Sequence, residues 1–355
     1  MIDIHKLVRK NIKKLIPYQS ARRIKGNGDI WLNANESPFE QQKNFFFNNL
    51  NRYPDKEYKL LLKSYSNYTK ISYKNIIATR GSDEAIELLI KAFCEPKKDS
   101  IMIFPPTYDM YQVYANILNV KVISILQLKN FQIDLKNLKK FIKNTKLIYL
   151  CNPNNPTGTL INHKDIIEIL KFTKNKCLVV IDEAYIEFCF KNTVVDLMCK
   201  FDHLIILRTL SKAFGLASIR CGFILAHIEV INIIKKIIAP YPLSTPTLQI
   251  ARFFLSKNNL ILLKNNILEL KKNKKILIQE LKKLFYVKKI FSSSTNFILV
   301  FFHSSKQVFS QLLKYKVVTR DQNFKILLQN CIRISVGTYK ECINLINIFK
   351  IIKIK

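Results

Sequence analysis

The chain has 355 residues, 48% hydrophobic and 23% charged, which supplies apolar material for a sizeable core and a length that suits two domains. Wholesale disorder, a collagen-like repeat and a disulfide-stapled mini-protein are excluded. The formal charge of +33 rests on 58 Lys and Arg, ten of them Arg; they are spread along the chain, not gathered in one arm or interleaved with aromatics, so no specific nucleic-acid partner is expected.

In chain order, Ile4, Leu7, Val8, Ile12 and Leu15 fall at helical spacing and predict a short amphipathic arm that Pro17 ends. Residues 26–39 read as a turn, a short strand from Ile30 to Leu32 and a polar loop. From about residue 57, helix-like runs (57–69, 83–94, 109–118, 134–143, 163–174) alternate with β-rich runs. The latter are Ile76–Thr79, Ser100–Phe104, Lys121–Ile125, Leu147–Cys151, Leu178–Ile181 and Leu204–Arg208, with Gly222–Ala226 as a seventh. Several are continuously apolar, as strands covered on both faces are. The alternation predicts an α/β fold with a mostly parallel sheet, whose sites lie beyond the carboxyl ends of strands. Residues 228–285 read as mostly helical, with Ile267, Leu270, Leu277, Leu281 and Leu284 on one stripe that Lys274 interrupts. After 286, strands over Asn296–Phe302 and Cys331–Val336, with helices near 305–315 and 339–350, predict a smaller α+β unit. The expected division is an N-terminal segment 1–48, a large domain 49–245 and a small domain 246–355.

None of the eight Cys forms a CxxC pair and the five His are scattered, so buried free thiols in a reducing compartment and no metal site are expected. No apolar run reaches about 18 residues, and the first turns mix Asp3, Arg9, Lys13 and Lys14; neither a membrane span nor a secretory signal is expected, and a cytoplasmic protein is.

The rare residues carry the chemistry. Five of only seven Gly sit in short polar clusters at predicted strand ends or turns: 80–84, 155–158, 211–215, 220–222 and 335–337. Gly81, Ser82 and Asp83 follow a strand and open a helix, where free N–H groups make a phosphate cup or a plain helix cap. Asp182 ends an apolar strand with Tyr185 three residues on: a carboxylate for a buried cationic ring nitrogen beside a phenol for a ring oxygen, or a cap with a core Tyr. Lys212, after Ser211 in another strand-end loop, is placed to be a desolvated, nucleophilic amine. Arg220 can clamp a phosphate bidentately, and Asn155 lies in a rigid Pro-flanked loop. Singly, each fits an ordinary turn; together they are what a pyridoxal phosphate site needs.

The order Asn-Pro-Asn-Asn-Pro-Thr-Gly (152–158), Asp-Glu-Ala-Tyr (182–185), Ser-Lys-Ala-Phe-Gly-Leu-Ala (211–217) and Arg-Cys-Gly-Phe (220–223) resembles fold-type-I aminotransferases, the class that includes aspartate aminotransferase. More narrowly, segments 17–23, 31–36, 51–54, 105–111, 239–244, 320–323 and 333–338 resemble the histidinol-phosphate aminotransferase family. The resemblance spans residues 17 to 338. It implies a large domain with a mostly parallel seven-stranded sheet between helices, a smaller α+β C-terminal domain and pyridoxal 5′-phosphate as cofactor. The implied substrates are histidinol phosphate and glutamate or 2-oxoglutarate, in histidine biosynthesis.

The resemblance also implies residue roles. Lys212 is the amine that joins the cofactor and moves a proton, Asp182 pairs with the ring nitrogen, and Asn155 and Tyr185 bond the ring oxygen. Tyr108 stacks on the ring. Gly81, Ser82 and Asp83 cradle the phosphate with Ser211 and Arg220, and Tyr53 reaches it from a partner subunit, which implies a homodimer. Tyr18, Arg320 and Arg333 form the substrate end. Asp109 and Ser218 stand where relatives often carry Gly. A related enzyme acting on another substrate, an aromatic aminotransferase or a phosphothreonine decarboxylase, carries similar motifs.

Overall fold

The apolar runs pair as their composition demands. The computed structural model describes residues 28–39, 50–54 and 58–354; the arm predicted at 4–15, segment 17–23 and Tyr18 lie outside the described residues. After a two-residue β1 (Ile30–Trp31) and helix α1 (Lys59–Thr69) comes the alternating region. Its strands are β2 (Ile76–Thr79), β3 (Ser100–Ile103), β4 (Lys121–Ser124), β5 (Thr145–Cys151), β6 (Leu178–Asp182), β7 (Leu204–Thr209) and β8 (Gly222–Leu225). They form one sheet in the order β2-β8-β7-β6-β5-β3-β4. Helices α2 (Gly81–Phe93), α3 (Met110–Leu118), α4 (Leu135–Phe141) and α5 (His163–Thr173) connect the strands.

Every residue of β2, β3, β7 and β8 is buried, the pattern of strands covered on both faces. All pairings are parallel except those of β8, which runs antiparallel to β2 and to β7. A parallel connection needs a long crossover, usually helical; loop 210–221 holds only a short 3-10 turn, Ala217–Ile219, and turns the chain back along β7. Strand ends fall within two residues of the sequence-based expectation, and the seven-stranded, mostly parallel sheet is the one expected.

Helices α6 (Ile228–Lys235), α7 (Thr245–Phe254) and α8 (Lys257–Leu281) follow. The first part of α8 places Leu263, Ile267 and Leu270 in the core of the large sheet. Its last turns place Leu277 and Leu281 in a second core. Lys274, the interruption of the stripe, falls between the two. Its Nζ donates to the carbonyls of Ser293 and Thr295, both at 2.8 Å, so a half-buried amine pins the helix to the next segment; desolvation lowers its pKa to about 8.

The second core lies against an antiparallel sheet ordered β12-β13-β10-β9: β9 (Val287–Ile290), β10 (Phe297–Phe302), β12 (Arg320–Asp321) and β13 (Cys331–Ser335). Helices α9 (Ser305–Lys314) and α10 (Tyr339–Ile351) accompany it, and β11 (Val317–Val318) pairs in parallel with β1. Sequence reading missed β9, β11 and β12. Two are only two residues long, and Val-Lys-Lys-Ile carries no apolar run to mark the third. The thiols are all free; five are buried, but Cys199 is exposed, contrary to the expectation of uniform burial. Among the described residues no helix is long and apolar enough to cross a membrane.

Candidate active site

Loops leaving β2, β3, β5, β6 and β7 open at one edge of the large sheet. Ala34 and Asn35, beyond β1, and, from the smaller unit, Arg320 and Arg333 of its sheet with Gln322 and Lys325 of the loop after β12 close over them, so one cleft is lined by both units.

At one end the first turn of α2 points into the cleft. Glu84 accepts the Arg80 N–H at 2.6 Å, and the first-turn N–H groups of Gly81, Ser82 and Asp83 lack intrahelical partners and favour an anion. Arg220 lies across them: a Cβ on Gly81, which has φ +77°, would stand 2.6 Å from Arg220 Nη2. Arg220 Nη1 donates to Ser211 Oγ at 3.3 Å, and Nη2 donates to Asp83 Oδ2 at 3.3 Å. Thr209 donates to Ser211 Oγ at 2.9 Å. Gly222 permits the assembly, since a Cβ there would meet Gly81 C at 2.6 Å and Ser82 N at 2.7 Å.

In the centre, Asp182 is buried at the end of β6. Tyr111 donates to its Oδ2 at 2.7 Å and the Ala184 N–H to its Oδ1 at 3.1 Å; no Lys or Arg forms an ion pair with it among the described residues. Burial raises its pKa to about 6, with the Tyr111 and Ala184 bonds pulling the other way. Lys212 Nζ donates to the Ala34 carbonyl at 3.0 Å. Burial lowers that amine to about 8, and Arg333 and Arg220 add to the fall against Glu36 and Asp83. Tyr185, whose pKa burial raises, accepts from Asn35 Nδ2 at 3.0 Å and so keeps its own proton to donate. Tyr108 donates to Asp83 Oδ1 at 2.8 Å, and its ring stands edge-on to Tyr111.

At the far end, Arg320 of β12 and Arg333 of β13 are direct cross-strand partners. Like charges opposite one another destabilise a sheet, so an anion is the ligand this pair suits. Arg333 Nη2 donates to the Asn33 carbonyl at 2.7 Å and Nη1 to Asn155 Oδ1 at 2.6 Å. Asn155, expected on a ring oxygen, thus also ties the central site to the cation end.

The structure brings Ser82, Asp83, Tyr108, Asn155, Asp182, Tyr185, Ser211, Lys212, Arg220, Arg320 and Arg333 to this one cleft, with Gly81 under Arg220. Tyr53 does not line it; the residue is 80% exposed and stacks on Tyr241 at 4.6 Å. Sequence reasoning missed Tyr111, Asn35, Thr209, Gln322 and Lys325. Tyr111, Asn35 and Gln322 lie in segments already singled out, but nothing in their spacing gives their partners.

Pyridoxal phosphate fits this donor set. A buried carboxylate with no paired cation suits a protonated ring nitrogen, a helix start with Arg220 and Ser211 suits the phosphate, and an amine of lowered pKa suits the aldehyde.

Residues 28–349 match the family model for aminotransferase class I and II. The chain is 53% identical over 351 residues to a histidinol-phosphate aminotransferase of Buchnera aphidicola subsp. Schlechtendalia chinensis, covering 98% of this chain and 97% of that one. Among solved structures it resembles the histidinol-phosphate aminotransferase from Clostridium acetobutylicum, with 30% identity, a TM-score of 0.83 and coverage of 90% of this chain and 98% of that one. It shares the fold of the Sinorhizobium meliloti histidinol-phosphate aminotransferase solved in complex with pyridoxal-5′-phosphate (TM-score 0.84, 20% identity, 97% of each chain). The chain belongs to the class I and II aminotransferase family and, by its full-length identity, to the histidinol-phosphate aminotransferases within it.

Proposed function

We propose that the cleft transfers the amino group of L-histidinol phosphate to 2-oxoglutarate, giving imidazole acetol phosphate and L-glutamate. The observation that carries the substrate is the Arg320–Arg333 cross-strand pair, set apart from the phosphate cup formed by α2, Ser211 and Arg220. Two separate anion sites match a phosphorylated cofactor and a phosphorylated substrate. Histidinol phosphate has no α-carboxylate, so its phosphate meets the guanidinium pair, and a carboxylate of glutamate meets the same pair in the return half of the cycle.

Bound pyridoxal phosphate supplies an aldehyde for the amine and a ring that draws electrons from the substrate's α-carbon. The chain's residues do the rest. Lys212 Nζ would join the aldehyde and, once the substrate's amine has displaced it, would carry the α-carbon proton to the cofactor's C4′ carbon, and carry one the opposite way in the return half of the cycle. Asp182 holds the ring nitrogen protonated, and Tyr111 keeps Asp182 ionised and oriented. Tyr185 and Asn155 donate to the ring oxygen, and Tyr108 covers one ring face. Two copies of the chain pair, each lending its exposed Tyr53 to the other's phosphate cup.

Purified protein supplied with pyridoxal phosphate, histidinol phosphate and 2-oxoglutarate should release glutamate, scored by chromatography. Carbon dioxide from phosphothreonine, or transfer from phenylalanine in preference to histidinol phosphate, would replace this reading with a related activity.

A further inference from the structure

Lys325 sits in an inverted segment. Its neighbours Phe324, Ile326 and Leu327 are 67%, 47% and 41% exposed, whereas the lysine side chain is 12% exposed and turned into the cleft. Burying an ammonium while apolar side chains face water reverses the usual arrangement, so packing does not account for it. Leu327 also takes a left-handed φ of 64°, a conformation β-carbon residues disfavour.

The amine crosses from the smaller unit to the loop that carries Tyr108. Nζ donates to Asp109 Oδ1 at 2.7 Å and to the Thr107 carbonyl at 3.0 Å. That loop is held rigid from beneath: Thr107 donates to Asn154 Oδ1 at 2.9 Å, and Asn154 Nδ2 donates to the Pro106 carbonyl at 2.8 Å. Asp109 is thereby held by a lysine amine from the smaller unit. Burial lowers the Lys325 pKa and Asp109 raises it, while Arg333 and Arg320 act on it from the substrate end. The pair thus shares an electrostatic field with the anion-binding arginines.

We propose that Asp109 and Lys325 set the charge preference of the substrate site: the carboxylate neutralises a third cation beside Arg320 and Arg333, and so fixes how tightly a dianion is held and released. The proposal rests on the assignment of those arginines to the substrate's anion. Coulomb energy scales with ligand charge, so disturbing the pair must act about twice as strongly, on a logarithmic scale, on a dianion as on a monoanion.

The test uses cofactor-loaded wild type, Asp109→Asn, Lys325→Met and the double variant at pH 7. Affinities for sulfate (dianion) and acetate (monoanion) are measured by calorimetry, and KM is measured for histidinol phosphate. Asp109→Asn exposes a cation and should tighten sulfate and lower KM roughly fivefold, with roughly a twofold effect on acetate. Lys325→Met leaves a lone carboxylate and should shift each quantity the other way. The double variant should return to within about twofold of wild type. A purely structural strap predicts that both single variants weaken binding, without distinction between the two anions; that outcome, or Asp109→Asn failing to tighten sulfate, overturns the proposal. Opposed sulfate shifts in an enzyme that ignores histidinol phosphate would support the charge role and refute the substrate assignment.

Discussion

Arg208 Nε donates to Glu183 Oε2 at 2.7 Å, its Nη2 lies 2.6 Å from the same oxygen as an ion pair and donates to Thr193 Oγ1 at 2.8 Å, and both charged side chains are buried. Glu183 directly follows Asp182, and Arg208 lies four residues before Lys212, so this pair ties the strand end bearing the carboxylate to the strand leading to the amine. Glu187 approaches the same guanidinium at 3.5 Å. Replacing Arg208 with Met strands two buried carboxylates. Breaking one side of a buried pair costs about 3–5 kcal/mol, and urea unfolding should show a loss of that size. Arg208→Lys should recover only part of it, since an ammonium cannot reproduce the guanidinium's fork.

Lys212 should capture cofactor with a pH dependence set by its own amine. Its pKa is lowered to about 8, chiefly by burial, against about 10.4 for an ordinary lysine. Only the uncharged amine attacks an aldehyde. The rate of pyridoxal phosphate uptake by cofactor-free protein should therefore rise with pH and level off above about 8, falling about tenfold per unit below it. Stopped-flow absorbance gives the midpoint; a rate still climbing tenfold per unit at pH 9.5 would show an ordinary lysine.

Tyr111→Phe removes the 2.7 Å bond to Asp182 and little volume. A hydrogen bond to a charged group contributes about 1.5–3 kcal/mol. Asp182, already raised to about 6 by burial, should rise further, by roughly one to two units. The ring nitrogen needs the ionised carboxylate, so the acid limb of cofactor affinity should move to higher pH by that amount. Titration calorimetry from pH 5 to 8 measures it, and an unmoved limb would remove Tyr111 from the site.

Gly222→Ala places a methyl 2.6–2.7 Å from the backbone of Gly81 and Ser82. The start of α2 must then retreat from Arg220 and Ser211. Cofactor affinity should fall about tenfold, equivalent to about 1.4 kcal/mol, with the thermal midpoint of cofactor-free protein falling by less than that of Arg208→Met. Equilibrium dialysis with pyridoxal phosphate separates the two effects.

The alternation of apolar and helical runs carried most of the fold, because strands buried on both faces must be continuously apolar and β2, β3, β7 and β8 are. Scarcity made the glycines readable: Gly81 and Gly222 sit where a Cβ would strike Arg220 or the α2 backbone. The same logic hid Lys325, one of 48 lysines, distinguished only by an Asp109 that lies 216 residues away. The Ala34 carbonyl that receives Lys212 is a backbone atom, and no residue type marks it. The Asn155–Arg333 bond joins two residues that were each assigned a single role, because contact between the two sheets is not written in local sequence.

Lys212 and Asp182 line one cleft with a second anion site, and on this reading they make the chain an aminotransferase for histidinol phosphate. The most direct measurement is the absorption spectrum of cofactor-loaded protein titrated with L-histidinol phosphate without 2-oxoglutarate, for wild type and Lys212→Ala. The wild type should be yellow, with a long-wavelength band that bleaches on titration and returns when 2-oxoglutarate is added, and the variant should do neither. A wild type that binds pyridoxal phosphate but keeps its band at saturating histidinol phosphate, or a Lys212→Ala variant that cycles like wild type, would contradict it.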